Sequence, residues 1–356
     1  MCQESVAMRA ALGIILLTFA TQAGAECGKM CKWQWWRTAS TTDVQTELDA
    51  GADVMARNKG GLTPLHVAAY VGTVDGIRIL LDAGADVMAR DDLIGQTPLH
   101  RGVGNSAAVA KTLIDAGADF MTRDGAGQTP LHQAARSGNP TTIQVLLDAG
   151  ADVMAPAKYG ETPLHEAART DTPANMRILL DAGADVLVRS RNGTTIFHKA
   201  AQSKTPANTI FLLGLGIDVT VRSDEGYTPL HLAAGNDDAP AISQILLDAG
   251  ADVMARGKQG YTPLHWAGEF GSPENIQILL HAGADIMARD ENNDTPLHRA
   301  ASHANSEPGS IKALLGAGAD PKLKNKYGKT PWDLAREHPK FRDTKGYWAL
   351  NDAQYN

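Results

Sequence analysis

The chain of 356 residues has few aromatic side chains, which make up 5% of it, and only three cysteines. It also has no excess of positive charge, because 33 lysines and arginines against 40 acidic residues give a formal net charge of -7. No global basic field is therefore available to attract nucleic acid or an anionic lipid surface. Residues 10–20 are too few to cross a bilayer, which takes about 20 residues, and no other apolar run is long enough. We expect no nucleic-acid partner. We also expect no membrane insertion of the chain that remains after removal of the signal peptide described below.

The usual sequence signatures of catalysis are absent as well. There is no glycine-rich phosphate loop, no nucleophile elbow and no H-E-x-x-H zinc motif. No insertion between the repeated segments described below is long enough to form a catalytic domain. We therefore expect that the protein is not an enzyme and that it needs no cofactor.

The first 25 residues have the layout of a secretory signal peptide. Arg9 precedes the apolar residues 10–20, and Ala23-Gly24-Ala25 matches the small-residue cleavage pattern. A short buried helix is the alternative interpretation of the apolar run. We expect cleavage after Ala25 and export to a periplasm, with secretion into the medium as the alternative.

Cleavage there would leave two cysteines, Cys27 and Cys31. On a helical turn, residues four apart face the same side with Cα atoms about 6 Å apart, near the upper end of disulfide geometry. Because an exported protein meets an oxidising compartment, we expect a disulfide between them. A metal site is the weaker alternative, since no second cysteine pair or adjacent histidine completes four ligands.

One tetrapeptide dominates what the sequence does contain. Thr63-Pro64-Leu65-His66 returns every 32 to 34 residues, once in the altered form Thr195-Ile196-Phe197-His198, and a last step of 35 residues leads to Thr330-Pro331-Trp332-Asp333. The other copies begin at Thr97, Thr129, Thr162, Thr228, Thr262 and Thr295. Self-similarity at such a period is typical of a stacked repeat architecture.

Each unit is punctuated as a pair of helices. In the unit from Thr129, this threonine suits an N-cap and Pro130 suits the first helical position. Asn139-Pro140 restarts the chain as a second, more apolar helix, and Gly150 supplies a left-handed stop. The pattern predicts a helix, a turn, a second helix and a projecting turn.

Two departures from this pattern predict local differences. The turn at residues 91–95 is one residue longer than its equivalents, so we expect it to protrude. Gly102 and Gly104 replace helix-forming residues, so we expect them to weaken the first helix of their unit.

The pattern G-x-T-P-L-H-x-A-A followed by V/I-x-x-L-L-x-A-G-A-D-V resembles the ankyrin repeat, whose motif is T-P-L-H-x-A at period 33. The resemblance covers nearly all of residues 38–334. It implies an all-α ankyrin-repeat solenoid of helix-turn-helix units with projecting hairpin turns. We expect a signal peptide over 1–25, an N-terminal capping repeat with Cys27 and Cys31 over 26–57, eight full repeats over 58–326, and a C-terminal capping repeat and tail over 327–356.

Both ends of such a stack need a cover, because a terminal repeat has one face without a neighbour. We expect Trp35 and Trp36 to plug the first end, with a docking site as the alternative. At the other end, a tail that folds back is favoured over a disordered one by its aromatic content. The residues expected to cover the last repeat are Trp332, Tyr347, Trp348 and Leu350.

Three residue types recur once per unit. Eight histidines, His66 through His298, are expected to brace the first helix against its turn, since neighbours 8–10 Å apart cannot share a metal ion. The aspartates of the A-G-A-D segments are expected to cap turns. Methionines recur as Met55, Met88, Met121, Met154, Met254 and Met287. We expect them to fill space beneath the turns, and the same spacing argues against a shared copper ion.

A row of cations marks the base of the projecting turns: Arg57, Arg90, Arg123, Arg189, Arg222, Arg256, Arg289 and Lys324. One interpretation is a solvated row that neighbouring aspartates such as Asp91, Asp124 and Asp290 partly neutralise, and the other is a guide for an acidic partner.

The resemblance implies that partners bind at turn tips and on the exposed side of the first helices. Aromatic residues cluster at these places in the sixth and seventh full units: Tyr227, Tyr261, Trp266 and Phe270. Other candidate contact residues are Tyr70, Arg136, Arg169, Arg222, Arg256 and Arg289. Tyrosine, tryptophan and arginine are enriched at interface hot spots, although packing between units would also explain the aromatic cluster.

We therefore expect a monomeric, non-enzymatic module that binds an exported protein partner through its concave face and turn tips. The alternatives are a multivalent scaffold of the cell envelope and an accessory factor that stabilises an exported enzyme.

Overall fold

The computed structural model describes residues 27–137, 139–302, 308–337 and 344–355. The secondary structure of these residues is helical, with an isolated β-bridge between Arg189 and Thr195 and no strand. The signal peptide predicted over 1–25 lies outside the described residues. Within them, the structure contains no helix of the length and apolar character that a membrane crossing needs.

The helices alternate between two rows, which confirms the predicted order of helix, turn, helix and projecting turn. The inner row comprises α1 (Trp33–Trp36), α3 (Pro64–Val71), α5 (Pro98–Gly102), α7 (Pro130–Ser137), α9 (Pro163–Ala168), α11 (Ile196–Ala200), α13 (Pro229–Ala234), α15 (Pro263–Phe270), α17 (Pro296–Ser302) and α19 (Pro331–Glu337). The outer row comprises α2 (Thr41–Asp49), α4 (Val74–Asp82), α6 (Ala107–Asp115), α8 (Pro140–Asp148), α10 (Pro173–Asp181), α12 (Ala207–Gly214), α14 (Pro240–Asp248), α16 (Pro273–His281), α18 (Pro308–Gly316) and α20 (Lys345–Ala353). Two 3₁₀ helices cover Lys29–Cys31 and Lys258–Gly260.

Packing between successive units creates one continuous core. Each inner helix contacts the inner helix of the next unit, and most outer helices contact the next outer helix in the same way. In the unit from Thr129, Leu131, Ile143 and Leu146 are completely buried, and equivalent positions of other units are buried too. Because a single helix pair cannot bury this apolar surface alone, the stability of the stack comes largely from contacts between neighbours.

Aromatic side chains cover both ends of the core. Trp36 is 2% exposed, and its indole nitrogen donates to the carbonyl of Met30 at 2.6 Å. At the other end, α20 packs on α18 and α19, and Leu350 is buried. The Trp332 and Tyr347 rings have centroids 4.5 Å apart. The predicted plug and the folded-back tail are both present, although Trp348 remains 50% exposed.

The repeated histidines join each unit to the next. The Thr63 amide donates to Nδ1 of His66 at 3.2 Å, and Nε2 of His66 lies 3.0 Å from the carbonyl oxygen of Gln96, which precedes the next unit's threonine. Because Nδ1 accepts from an amide, the ring is neutral and Nε2 donates to the carbonyl. The same contacts recur at His100, His132, His165, His198, His231, His265 and His298. The prediction that each histidine braces its own unit is therefore incomplete. The bond at Nδ1 lies within the unit, but the bond at Nε2 joins that unit to the next one.

The repeated arginines also bond across junctions. Nη1 of Arg222 donates to the carbonyl of Arg256 at 2.8 Å, and Nη1 of Arg256 donates to the carbonyl of Arg289 at 3.0 Å. Equivalent bonds are donated by Arg57, Arg90, Arg123, Arg189 and Arg289. Neither predicted interpretation, a solvated row or a guide for an acidic partner, included this role. The arginines hold successive turns together through bonds to backbone carbonyls.

Two of the three aspartates that were predicted to neutralise this row pair with arginines outside it. Asp91, 4% exposed, accepts amide hydrogens from within its own turn and pairs with Arg101 at 2.7 Å. Asp290 likewise pairs with Arg299 of the inner helix that follows it. The ion pairs of the row itself involve other aspartates, because Arg57 lies 3.4 Å from Asp92 and Arg189 lies 3.2 Å from Asp224. Leu93 in the longer turn at 91–95 is 63% exposed, and the protrusion of that turn stays a prediction.

The aspartates of the A-G-A-D segments cap their turns as predicted. In each of nine units, a carboxylate oxygen accepts the amide hydrogen of the residue two positions later, at 2.7 to 2.9 Å. The segment thus enters every projecting turn with the same geometry.

Burial makes the histidine bonds sensitive to acid. It lowers the pKa of all eight histidines and brings that of His132, His198, His231 and His265 to about 4. As pH falls below about 6.5, histidines of the unfolded chain take up protons before those of the folded chain, so the free energy of unfolding decreases until the folded pKa is reached. The slope is about 1.4 kcal/mol per pH unit for each histidine.

We predict that the urea midpoint is constant above about pH 7 and decreases steeply between about pH 6.5 and pH 4. Equilibrium unfolding followed by circular dichroism at several pH values measures this. Replacement of the exposed His281 on α16 should leave the profile unchanged. Equal midpoints at pH 7 and pH 5 would contradict the assignment of neutral, buried histidines.

Gly102 is required by close packing between units. A Cβ atom placed on it would lie 2.6 Å from Cγ1 of Val109 and 3.4 Å from Cβ of Ala69. A Cβ on Gly104 would meet nothing closer than 3.6 Å. Gly102 was predicted to weaken this short helix. The packing explains why a glycine is nevertheless present, since a larger residue would have to displace Val109.

We predict that Gly102→Ala lowers the free energy of unfolding by about 1–3 kcal/mol through overpacking, despite the better helix propensity of alanine. Gly104→Ala is the matched control and should change it by less than about 0.5 kcal/mol. Urea unfolding of the two variants checks this, and a stabilised Gly102→Ala variant would refute the packing argument.

Candidate binding surface

The exposed side of the inner helices and the adjoining turns form a continuous surface, called here the inner face. Successive turns are bonded to one another, for example by the Lys158 amide, which donates to the carbonyl of Ala126 at 3.0 Å. The Arg191 amide donates to the carbonyl of Tyr159 at 2.9 Å in the same way. The turn tips are therefore held in register along the edge of this face, where the resemblance places partner contacts.

The structure brings the predicted aromatic residues together near the C-terminal end of the inner face. The Tyr227 and Trp266 rings have centroids 5.0 Å apart, and those of Trp266 and Phe270 are 5.4 Å apart. Tyr261 stacks on His265 and lies under the guanidinium of Arg299, at 4.3 Å. We call Tyr227, Tyr261, Trp266 and Phe270 the aromatic cluster.

The aromatic cluster combines packing with exposure. Phe270 is 41% exposed, whereas the two tyrosines and the tryptophan are partly buried. Tyr227 lies against the backbone of Gly257, where a Cβ atom would be 2.4 Å from its ring. Burial raises the pKa of Tyr261 to about 12, so its hydroxyl stays protonated at neutral pH. The two predicted interpretations, a contact surface for a partner and packing between units, therefore each describe part of the cluster.

Acidic groups surround the aromatic cluster. Asp290 and Asp294 both pair with Arg299, and Glu225 pairs with Lys258 at 2.6 Å. These five side chains carry three negative charges against two positive ones.

The centre of the inner face is charged and largely paired. Arg169 lies 3.5 Å from Glu161, and Arg136 lies 3.9 Å from Glu166. Lys199, of which 8% is exposed, also pairs with Glu161. Burial alone would raise the pKa of Glu161, but the neighbouring Lys199 ammonium lowers it below its ordinary value. The two candidate arginines thus face the predicted surface while each has an acidic neighbour.

A second apolar area lies near the N-terminal end of the inner face. Trp33 and Tyr70, 47% and 56% exposed, flank an open pocket of about 170 Å³. Leu62 and Val67 contribute to its apolar lining, and Arg101 borders it. Tyr70 was predicted as a contact residue, but Trp33 was missed because it precedes Trp35 and Trp36, which cover the core. We call Trp33, Leu62, Val67 and Tyr70 the N-terminal pocket.

Two further exposed tyrosines were missed as contact candidates. Tyr159 is 69% exposed and Tyr327 is 66% exposed, and both occupy turn tips. Each directly precedes the turn glycine, Gly160 or Gly328, whose φ is positive. An aromatic residue at that position of the repeat is the signal that would have found them.

The other candidate arginines, Arg222, Arg256 and Arg289, lie at the base of the turns in the bonded row described above. Cys27 and Cys31 lie at the N-terminal end with Cα atoms 5.4 Å apart and Sγ atoms within bonding distance. Across the described ranges there is no group of three or more histidine, cysteine or acidic side chains that could hold a metal ion.

Fold and surface together define a stacked helical-repeat scaffold with a variable inner face. Models of the ankyrin-repeat family match residues 39–124, 120–190 and 197–290, and a further single ankyrin repeat matches residues 292–326. The chain belongs to the ankyrin-repeat family. Ankyrin repeats are generally protein–protein interaction modules and are typically non-enzymatic, and no enzyme family matches. No curated protein matches the chain.

We predict that Lys199→Met lowers the free energy of unfolding by about 1–3 kcal/mol, because it removes a charge partner from the partly buried Glu161. Lys204→Met is the control, since Lys204 is 79% exposed and its distance to Asp238 is 3.9 Å. It should change stability by less than about 0.5 kcal/mol. Equal effects of the two changes in urea unfolding would contradict the prediction.

Proposed function

We propose that this protein is an exported, monomeric binding module that holds a protein partner against its inner face. The observation that carries the proposal is the presence of two apolar areas, the N-terminal pocket and the aromatic cluster, on a face whose centre is polar. At the equivalent positions, the central units carry polar residues such as Arg136, Glu166 and Arg169. Exposed aromatic groups with a polar surround are the composition of interface anchors.

The exposed anchors favour a protein partner over a small molecule. Phe270, Tyr70 and Trp33 are each more than 40% exposed, so they offer area to a surface. The ion pairs around Glu161 lie between the two apolar areas and offer polar groups that fix the orientation of a bound protein. A pocket of about 170 Å³ is too small to hold most of a ligand in the usual range of about 300–1,000 Å³.

Export is the second part of the proposal. The layout of residues 1–25 supports it, and the nearness of Cys27 to Cys31 suits a disulfide formed in an oxidising compartment. Periplasmic location is our preferred proposal, with secretion as the alternative.

A multivalent scaffold is the second candidate function. The specific observation in its favour is that the two apolar areas lie in distant units, so that two partners could bind without competing. An accessory factor that stabilises an exported enzyme would use the same inner face.

The test is affinity capture from the exported fraction of the producing cell, with residues 26–356 as bait. A first variant carries alanine at Tyr261, Trp266 and Phe270, and a second carries alanine at Trp33 and Tyr70. We predict that one protein is captured and that each variant binds it at least about tenfold more weakly. Isothermal titration with the identified partner measures the loss.

The matched control carries alanine at Leu187, Ile210 and Leu215, which are 66%, 53% and 49% exposed and are absent from both apolar areas. It should bind like the unchanged chain, with the same helicity. Two proteins, each lost with a different variant, would replace the single-partner proposal with the scaffold. Equal capture by all variants, or no capture, would overturn the proposed surface.

A further inference from the structure

The repeated methionines are bonded across unit junctions through their sulfur atoms. The Asp86 amide donates to Sδ of Met55 at 3.3 Å, and the Asp119 amide donates to Sδ of Met88 at 3.3 Å. Equivalent bonds reach the sulfurs of Met121, Met154 and Met254, at 3.3 to 3.5 Å. We call these five residues the methionine row. Their side chains thus do more than fill space beneath the turns.

Each bond belongs to a chain that continues through the next unit. The carboxylate of Asp86, whose amide meets Met55, accepts the amide hydrogen of Met88 at 2.8 Å. The sulfur of Met88 then accepts from Asp119, whose carboxylate accepts from Met121 at 2.7 Å. A change at one sulfur therefore acts directly on the turn of the following unit.

The methionine row is open to solvent. Met55 is 38% exposed and Met121 is 37% exposed, and the other three members are partly exposed. By contrast, Met176 on α10 is completely buried and Met30 is 3% exposed. Thioether oxidation follows exposure, so these two methionines provide an internal reference.

The row is interrupted on both sides of the altered tetrapeptide that begins at Thr195. Leu187 and Thr220 occupy the two equivalent positions between Met154 and Met254. Both retain the amide bond to the aspartate two residues earlier, at 2.8 Å, as the methionines do. The turn therefore forms without sulfur, and the sulfur bond is an additional feature of the five junctions that have it.

We propose that the methionine row is a site of oxidative modification by peroxides, and that its oxidation weakens the junctions between repeats. A sulfur lone pair attacks one oxygen of hydrogen peroxide, so that an S–O bond forms and the O–O bond breaks. The sulfur loses two electrons to the peroxide, and the departing hydroxide takes up the remaining proton to give water. The product is methionine sulfoxide.

The contact distance explains why oxidation would weaken a junction. An N–H group 3.3 Å from a sulfur atom leaves no room for an oxygen atom between the two. An oxygen added on the side of the amide must displace the turn of the next unit. An oxygen added on the other side leaves a positively polarised sulfur, which is a poorer acceptor for the amide hydrogen. Oxidation also converts an apolar side chain into a polar one against partly buried surface.

The test treats the full mature chain with hydrogen peroxide and follows each methionine by peptide mass spectrometry. We expect the five row residues to react at least about tenfold faster than Met176, in line with their exposure. The thermal midpoint of the oxidised protein should be lower by several degrees, and treatment with methionine sulfoxide reductase should restore it.

The control variant replaces all five row residues with leucine, the residue found naturally at position 187. Peroxide should leave its thermal midpoint unchanged. The proposal is overturned if Met176 reacts as fast as the row, if the fully oxidised row leaves the midpoint unchanged, or if the leucine variant loses as much stability as the unchanged chain.

Discussion

The structure depends on one neutral imidazole per unit, held between the threonine of its own unit and a carbonyl of the next. This ring completes the N-terminal cap of an inner helix and also fixes the turn that begins the following unit. Apolar packing supplies most of the stabilising free energy, but it is non-directional and does not fix how one unit is placed on the next. The histidine bond does, because a ring nitrogen and a carbonyl oxygen must meet within hydrogen-bond distance. The arginine and methionine bonds add to the same junction from the other end of the turn.

The difference between the buried repeated residues and the residues that border the inner face explains where the units differ from one another. The threonine, proline, leucine and histidine of each unit are buried, so they are fixed by the stack itself. The residue after the histidine borders the inner face and differs between units, as Glu166, Lys199 and Trp266 illustrate, although Glu166 and Lys199 are themselves buried and paired. A family that repeats its core can therefore change its recognition surface one position at a time.

Much of the fold could be predicted because its signals are local. Most inner helices begin at a threonine-proline pair, and most outer helices end within two residues of a glycine with positive φ, and both signals are visible in the sequence. The bonds across junctions could not be predicted, because their acceptors are backbone carbonyls. Gln96, Tyr227 and Lys329 accept the same histidine bond, although their side chains differ in size, shape and charge.

The candidate surface was predicted less completely than the fold. The four aromatic cluster residues do lie together, but their different exposure depends on the backbone beneath each ring, such as Gly257 under Tyr227. Trp33 could not be separated from Trp36, because the two occur in one short aromatic segment and differ only in which side of the helix they occupy. All described links between units join immediate neighbours, so a small rotation at each junction adds to the next along the stack. Small rotations of this kind would change the separation of the two apolar areas without requiring any single bond to break.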